Sequence, residues 1–152
     1  MNKLQVIVAT LAAVGLAGAA LAEDLSQEKV EQAIKYRKNV MTTMGGEVGT
    51  AIGRLRDGFD YGPSLEAVAA GLVANTQDIP ALFPEGTDFG DTDATAEVWS
   101  DAQGFADKAQ QAKDAAAAFS EAVSSGDKAA IMGAFKDLGD ACKGCHEAYR
   151  KN

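Results

Sequence analysis

The sequence predicts an all-α chain, folded as an up-down-up-down antiparallel four-helix bundle. Three observations predict it. Apolar residues recur at spacings of three and four along four separate segments, so each segment has one apolar helical face. The composition is rich in Ala and Gly and poor in aromatics, with 3 prolines. No run of β-branched residues alternates over a strand's length, apart from a short apolar stretch at the N-terminus. At 152 residues, one domain is expected.

The N-terminal stretch reads as a leader and not as part of the fold. Asn2 and Lys3 give a weak basic start, Val6 to Leu16 is apolar, and Ala20-Leu21-Ala22 places small residues where a signal peptidase reads. The run is shorter than the ~20 apolar residues a membrane span needs. Residues 1–22 are therefore expected to be cleaved and residues 23–152 to form the mature domain, exported to a bacterial periplasm. The full chain carries a net charge of −8, and losing Lys3 makes the mature chain one unit more negative. That argues against nucleic acid and against an anionic membrane surface as partners.

The first helix starts at Asp24 to Ser26, either of which can cap it. Its seam is Val30, Ile34, Arg37, Met41, Met44, Val48, Ile52 and Leu55, and Gly58 is its expected stop. Gly45, Gly46, Gly49 and Gly53 lie inside it, each costing about 1 kcal/mol relative to Ala. The stripe Gly45, Gly49, Gly53 fits a close helix neighbour, in this chain or in a second subunit; a bent or broken helix is the other reading. The second helix starts at Ser64, carries Leu65, Val68, Leu72 and Val73 inward, and is expected to end near Ile79 because Pro80 follows. A loop from Pro80 to about Asp93 holds Leu82, Phe83 and Phe89, apolar side chains that each gain ~1.5–3 kcal/mol from burial. They either plug one end of the bundle or, for Phe83 above all, pack on a cofactor.

The third helix is expected to begin near Asp93 or Thr95. Its seam runs unbroken through Val98, Ala102, Phe105, Ala109, Ala112, Ala116, Phe119 and Val123, and Ser124-Ser125-Gly126 ends it. The fourth starts on Asp127 as cap and carries Ile131, Phe135, Leu138, Cys142, Cys145 and Tyr149. Both cysteines thus fall on core positions.

Cys142-Lys143-Gly144-Cys145-His146 holds the only 2 cysteines and the 1 histidine of the chain. This is the C-x-x-C-H arrangement that attaches a c-type haem. Cysteines at i and i+3 share a helix face and can form thioethers with the two haem vinyl groups, and His146 can reach the iron as an axial ligand. Gly139, two turns before His146, either keeps space clear beside the ring or is a plain helix glycine. Other chemistries fit poorly. A structural zinc site needs four ligands and finds three. A thioredoxin-like pair needs a βαβ setting with its first cysteine at a helix N-terminus. An inert buried pair leaves the histidine unexplained.

With no second histidine, Met41, Met44 and Met132 are the protein side chains able to fill the sixth iron position. Met41 and Met44 lie on the first helix's seam, where ordinary apolar packing is the competing reading. Arg37, a charge on the same seam, either snorkels outward or pairs with an anionic haem propionate. Arg150, one turn after His146, either lies on the proximal side of the haem or is a solvated cation suited to the helix C-terminus.

Over essentially the whole mature chain the sequence resembles cytochrome c′. The matching pieces are Ile34-Lys35-Tyr36-Arg37, Ile79-Pro80-Ala81-Leu82-Phe83, Glu97-Val98-Trp99, and Ala141 through Arg150 around the C-x-x-C-H motif. The resemblance implies one covalently attached haem c per chain, high-spin and five-coordinate, with His146 as its one protein ligand. It implies an apolar distal face that admits NO and CO, and a homodimer packed through the first two helices. It also places Arg37 and Lys38 at the propionates, Met41 over the iron, Phe83 near the haem and Arg150 beside the histidine. A low-spin branch of the same bundle family uses a first-helix methionine as sixth ligand, which for this chain is Met41 or Met44. The expected function is gas binding, chiefly of NO, without catalysis. The alternative is a six-coordinate His/Met electron carrier serving a periplasmic redox partner. A peroxidase is the weakest reading, because no distal histidine is present to move protons.

Overall fold

The computed structural model describes residues 26–151, so the leader expected over residues 1–22 and the capping role of Asp24 lie outside the described residues. Helix α1 spans Gln27–Leu55, and the Ser26 hydroxyl caps it by accepting from the Lys29 N–H at 3.4 Å. It is one continuous helix through all four glycines. An added Cβ at Gly45, Gly46 or Gly49 would meet nothing within 4 Å, so no other described part of this chain packs on that stripe. At Gly53 the near neighbour is the Phe59 ring, 3.2 Å from such a Cβ, and not a helix.

Helix α2 spans Leu65–Asn75, with Ser64 accepting from the Ala67 N–H at 3.2 Å. It ends before the expected Ile79. The Thr76 hydroxyl donates back to the Leu72 carbonyl at 2.8 Å and closes the last turn, a local bond that competes with continuation. Pro80–Leu82 then forms a single 3₁₀ turn.

The third expected helix is two. Helix α3, Glu97–Ser100, stops at Asp101, whose φ of −120° and ψ of 53° leave the helical region. Helix α4, Ala102–Ser125, starts again there with the Asp101 carboxylate accepting from the Gly104 N–H at 3.2 Å. The reset leaves Ala102 exposed, contrary to its seam position, while Val98, Phe105, Ala109, Ala112, Ala116, Phe119 and Val123 are buried as expected. Gly126, at φ +70°, closes α4 in the left-handed conformation that favours glycine. Helix α5, Lys128–Tyr149, begins on Asp127, which accepts from the N–H groups of Ala129 and Ala130 at 2.8 and 3.1 Å.

The four long helices make the antiparallel bundle. Helix α4 packs against α5 and α2, and α2 packs against α1, whereas α1 and α5 lack a comparable backbone-to-backbone pairing. The core is accordingly in two parts. One gathers Leu72, Phe119 and Leu138, with Met44 and Cys142 at its edge. The other gathers Ile79, Val98, Phe105 and Tyr149, with Met41, Phe83 and Cys145 at its edge. The two cysteines therefore border different halves of the core.

Segment 84–95 is tied down by polar groups. Thr87 and Thr92 are buried, and Phe89, expected inside, is 55% exposed. Thr87 and Thr92 anchor the segment, and Phe89, which lies between the positive-φ glycines Gly86 and Gly90, is turned outward. Leu82 and Phe83 are half-buried, as expected of a bundle plug. The chain end is laced to the same segment. The Thr95 N–H donates to the Tyr149 carbonyl at 3.0 Å and the Lys151 N–H to that of Asp93 at 2.7 Å.

The Tyr149 hydroxyl donates to the Asp101 carboxylate at 2.8 Å, and chiefly for that reason its pKa is pushed up to about 12. A raised folded-state pKa stabilises the protonated folded form. The contribution is fully present below the unfolded value near 10 and is lost as pH rises from there through about 12. Melting temperatures at pH 9 and pH 11.5 should therefore differ more for the native chain than for Tyr149→Phe. Equal differences would show that the hydroxyl–carboxylate bond carries no pH-linked stability.

Candidate functional site

Between α1 and α5 lies a cavity of ≈ 570 Å³, within the range of cofactor sites. Its walls are mainly apolar, from Met41, Met44, Val48, Phe83 and Phe105. Cys142, Cys145 and His146 all line it from α5, and Arg37 and Lys38 line it from α1. The i, i+3, i+4 placement on one helix brings the three motif residues to one wall.

Both thiols are free and half-buried, and burial pushes their pKa values up. A redox-active pair needs the opposite shift. Among the described residues no group of three His, Cys, Asp or Glu is placed to hold a metal ion. His146 sits at the rim: it lines the cavity and is exposed on its other side, where it also borders a cleft with Lys143, Glu147, Arg150 and Lys151. Burial first, and the Arg150 charge second, lower its pKa. That keeps the imidazole neutral and its lone pair available to a metal.

Arg37 does not snorkel. It is 3% exposed, with Nη1 donating to Thr87 Oγ1 at 2.7 Å and Nη2 donating to the Thr87 carbonyl at 2.8 Å and to Thr92 Oγ1. Its guanidinium carbon lies 4.9 Å from the Phe83 ring centre and 5.5 Å from that of Trp99. All these partners are neutral, and burial lowers its pKa. Lys38 bonds Asp91 at 2.9 Å across the cavity's edge. Phe83 is fixed by edge contacts with Phe105 at 4.9 Å and Trp99 at 6.2 Å between ring centres, and the Trp99 indole N–H donates to the Phe83 carbonyl at 3.2 Å.

Of the three methionines, Met41 and Met44 face the cavity, whereas Met132 is 43% exposed and does not line it. Met132 leaves the set of possible iron ligands because it lies on the solvent side of α5. Gly139 does not line the cavity either, and a Cβ there would meet nothing within 4 Å, so it is a plain helix glycine. Sequence reasoning missed Thr87, Thr92 and Asp101. Isolated hydroxyls and one carboxylate between helices carry no periodic signal.

The residues present fit a haem. Two thiols and an imidazole share one wall of an apolar cavity of cofactor size, and a buried cation without a carboxylate partner stands at its edge. A group tethered there would join two halves of the core that otherwise meet across the cavity. An antiparallel bundle whose last helix opens a C-x-x-C-H wall into such a cavity is a c-type haem protein of the four-helix class.

The chain belongs to the cytochrome c′ family: the family model described as Cytochrome C' matches residues 32–150. Members carry covalently attached haem c. Among its relatives is a cytochrome c′ of Alcaligenes xylosoxydans xylosoxydans, 35% identical over 81% of this chain and 96% of that one. Two solved structures are similar in fold. The nitric oxide complex of a variant cytochrome c′ from Alcaligenes xylosoxidans gives a TM-score of 0.73 at 35% identity, over 81% of this chain and 96% of that chain. A cytochrome c′ described as having an unusual ligand-controlled dimer dissociation gives 0.74 at 30% identity, over 84% and 98%.

Proposed function

We propose that this protein is an exported, periplasmic gas-binding cytochrome. In this reading Cys142 and Cys145 hold the haem by thioethers, His146 is its single protein ligand, and NO or CO binds on the opposite face. When bound, the haem supplies an iron with one open coordination position. The observation that carries the reading is the wall facing α5. It is built of Met41, Met44, Val48 and Phe83, and the hydroxyls of Thr42 and Thr76 beside them are already committed. Thr42 donates to the Lys38 carbonyl at 2.8 Å, and Thr76 donates to that of Leu72 at 2.8 Å. Methionine, valine and phenylalanine side chains donate no hydrogen bond and stabilise no polarised ligand, so this stretch of wall favours NO and CO over O₂ and offers no acid–base group for peroxidase chemistry.

In the same reading Arg37 and Lys38, which line the cavity, would meet the propionates, and Arg150 would lie beside His146. The nitric oxide complex of the Alcaligenes relative supports gas binding by this site. The open glycine stripe on α1 and the dimer of the other solved relative support a homodimer through α1 and α2.

Met41 is the residue to test. The reduced holoprotein is expected to show a high-spin spectrum, and Met41→Ala to keep it while CO association quickens by about tenfold, equal to ~1.4 kcal/mol of barrier. A low-spin spectrum that turns high-spin in Met41→Ala or Met44→Ala would instead establish the His/Met electron carrier.

A further inference from the structure

The chain has 3 tyrosines and 1 tryptophan, the side chains whose rings most readily give up a single electron. Tyr36 and Tyr61 are 63% and 73% exposed, and neither they nor Trp99 line the cavity. Tyr149 does line it, 8% exposed and one helical turn beyond Cys145. Its hydroxyl donates to Asp101 Oδ2 at 2.8 Å, while Asp101 Oδ1 caps α4 by accepting from the Gly104 N–H at 3.2 Å. The two carboxylate oxygens therefore have separate tasks. Gly104 leaves room for the pair: a Cβ there would overlap Asp101 Oδ2 and stand 2.7 Å from the Tyr149 hydroxyl oxygen. Asp101 is exposed and does not line the cavity, so the bond leads from the cavity wall towards solvent.

This setting lets an electron and a proton leave Tyr149 together. A phenol that loses an electron becomes a strong acid, so a base already bonded to its hydroxyl eases the oxidation. The proton does not leave by itself, since the bond to Asp101 holds the phenol protonated well beyond neutral pH. Trp99 lacks such a base: its indole N–H donates to the carbonyls of Phe83 and Pro84, which do not take up a proton. The Phe105 ring, 5.2 Å from the Tyr149 ring between centres, packs edge-on and fixes the phenol in place. Met41 and Met44 stand on the opposite wall of the same cavity, and a thioether exposed to an oxidant becomes a sulfoxide.

We propose that Tyr149 and Asp101 form a redox-active tyrosine–carboxylate pair that discharges oxidising equivalents left at the haem site by a peroxide. The inference rests on haem lying in this cavity, and is independent of which gas binds. The wall of Met41, Met44, Val48 and Phe83 has no acid–base group to pass such equivalents to a bound substrate, so they fall on the chain's own side chains. Peroxide takes up two electrons: its O–O bond breaks, one water leaves and the other oxygen stays at the haem site. One electron comes from the iron and the other from Tyr149. The Tyr149 O–H bond breaks as an O–H bond forms on Asp101 Oδ2, which leaves a neutral phenoxyl radical beside a neutral carboxylic acid. A small one-electron reductant such as ascorbate then returns the electron, and Asp101 returns the proton. The pair thereby spares Met41 and Met44.

The test uses the ferric holoprotein, whose absorption first establishes that haem is attached. A chain that takes up no haem would overturn the functional reading and this one with it, whereas a haem-loaded chain without the signal below overturns this one alone. The protein is mixed with hydrogen peroxide, frozen within milliseconds and studied by electron paramagnetic resonance. A tyrosyl signal is expected, narrowed when the chain is grown with ring-deuterated tyrosine and unchanged by ring-deuterated tryptophan. It should persist in Tyr36→Phe with Tyr61→Phe, a labelled chain that leaves the pair intact. It should be lost in Tyr149→Phe, where peptide mass spectrometry should find several-fold more sulfoxide at Met41 and Met44. Asp101→Asn keeps a capping oxygen for the Gly104 N–H but removes the base. It should slow the signal's appearance by ~100-fold, the scale of one positioned base. In heavy water the native signal should also form more slowly, because the proton moves with the electron. A signal narrowed by deuterated tryptophan, one that survives in Tyr149→Phe, or an unchanged rate in Asp101→Asn would overturn the proposal.

Discussion

Cys142→Ser together with Cys145→Ser is expected to yield a protein whose haem is extracted by acid–acetone and whose cooperative unfolding is lost or greatly weakened. The two thiols border different halves of the core, so a group bonded to both joins those halves. An apolar cavity of ≈ 570 Å³ left without a tethered occupant is costly. At ~24 cal/mol per Å³ the upper bound is about 14 kcal/mol, the scale of a whole domain's stability. Opening to solvent and partial collapse lower that figure, and a several-kcal/mol loss remains. Haem staining after denaturing electrophoresis and a thermal melt check both parts. Haem that stays on the polypeptide would refute attachment through these cysteines.

The second large effect is expected at Arg37. Arg37→Met keeps much of the stem's packing but leaves the Thr87 carbonyl without its donor and removes the two bonds to the threonine hydroxyls. Each hydroxyl keeps one other partner, Thr87 Oγ1 donating to the Pro84 carbonyl and Thr92 Oγ1 accepting from the Ala94 N–H, so the loss is partial. About 2–4 kcal/mol of destabilisation is expected, since charged donors contribute more than neutral ones and one buried acceptor is orphaned. Amide exchange should accelerate across residues 84–95 well before it does in α4. Arg37→Lys should rescue little, because a single ammonium cannot span two threonines as the planar fork does. Exchange in 84–95 unchanged in Arg37→Met would show that the segment is held without it.

The helix seams were legible because burial repeats with the helical period. Val30, Ile34, Phe105, Ala116, Phe119 and Leu138 are core residues in sequence pattern and structure alike. The caps Ser26, Ser64 and Asp127 were legible because each satisfies N–H groups within its own first turn. Asp101 was not. Its neighbours Val98, Ala102 and Phe105 keep a perfect helical spacing that hides its cap on the Gly104 N–H, and its second bond, from the Tyr149 hydroxyl, comes from a residue distant in sequence. The loop was misjudged in the same way. Phe89 has the hydrophobicity to be buried, but Arg37 claims the interior position for Thr87.

By itself the sequence determined the all-α class, the seam of each long helix and the attachment chemistry, since each rests on local periodicity or on five consecutive residues. Only the tertiary structure decided what stands opposite that motif. It removed Met132, kept Met41 and Met44, turned Arg37 inward onto two threonines and set His146 at the cavity's rim. The physical reason is that a cavity wall is shared by helices far apart in the chain. Which side chains meet across it depends on helix packing, and no residue spacing records that.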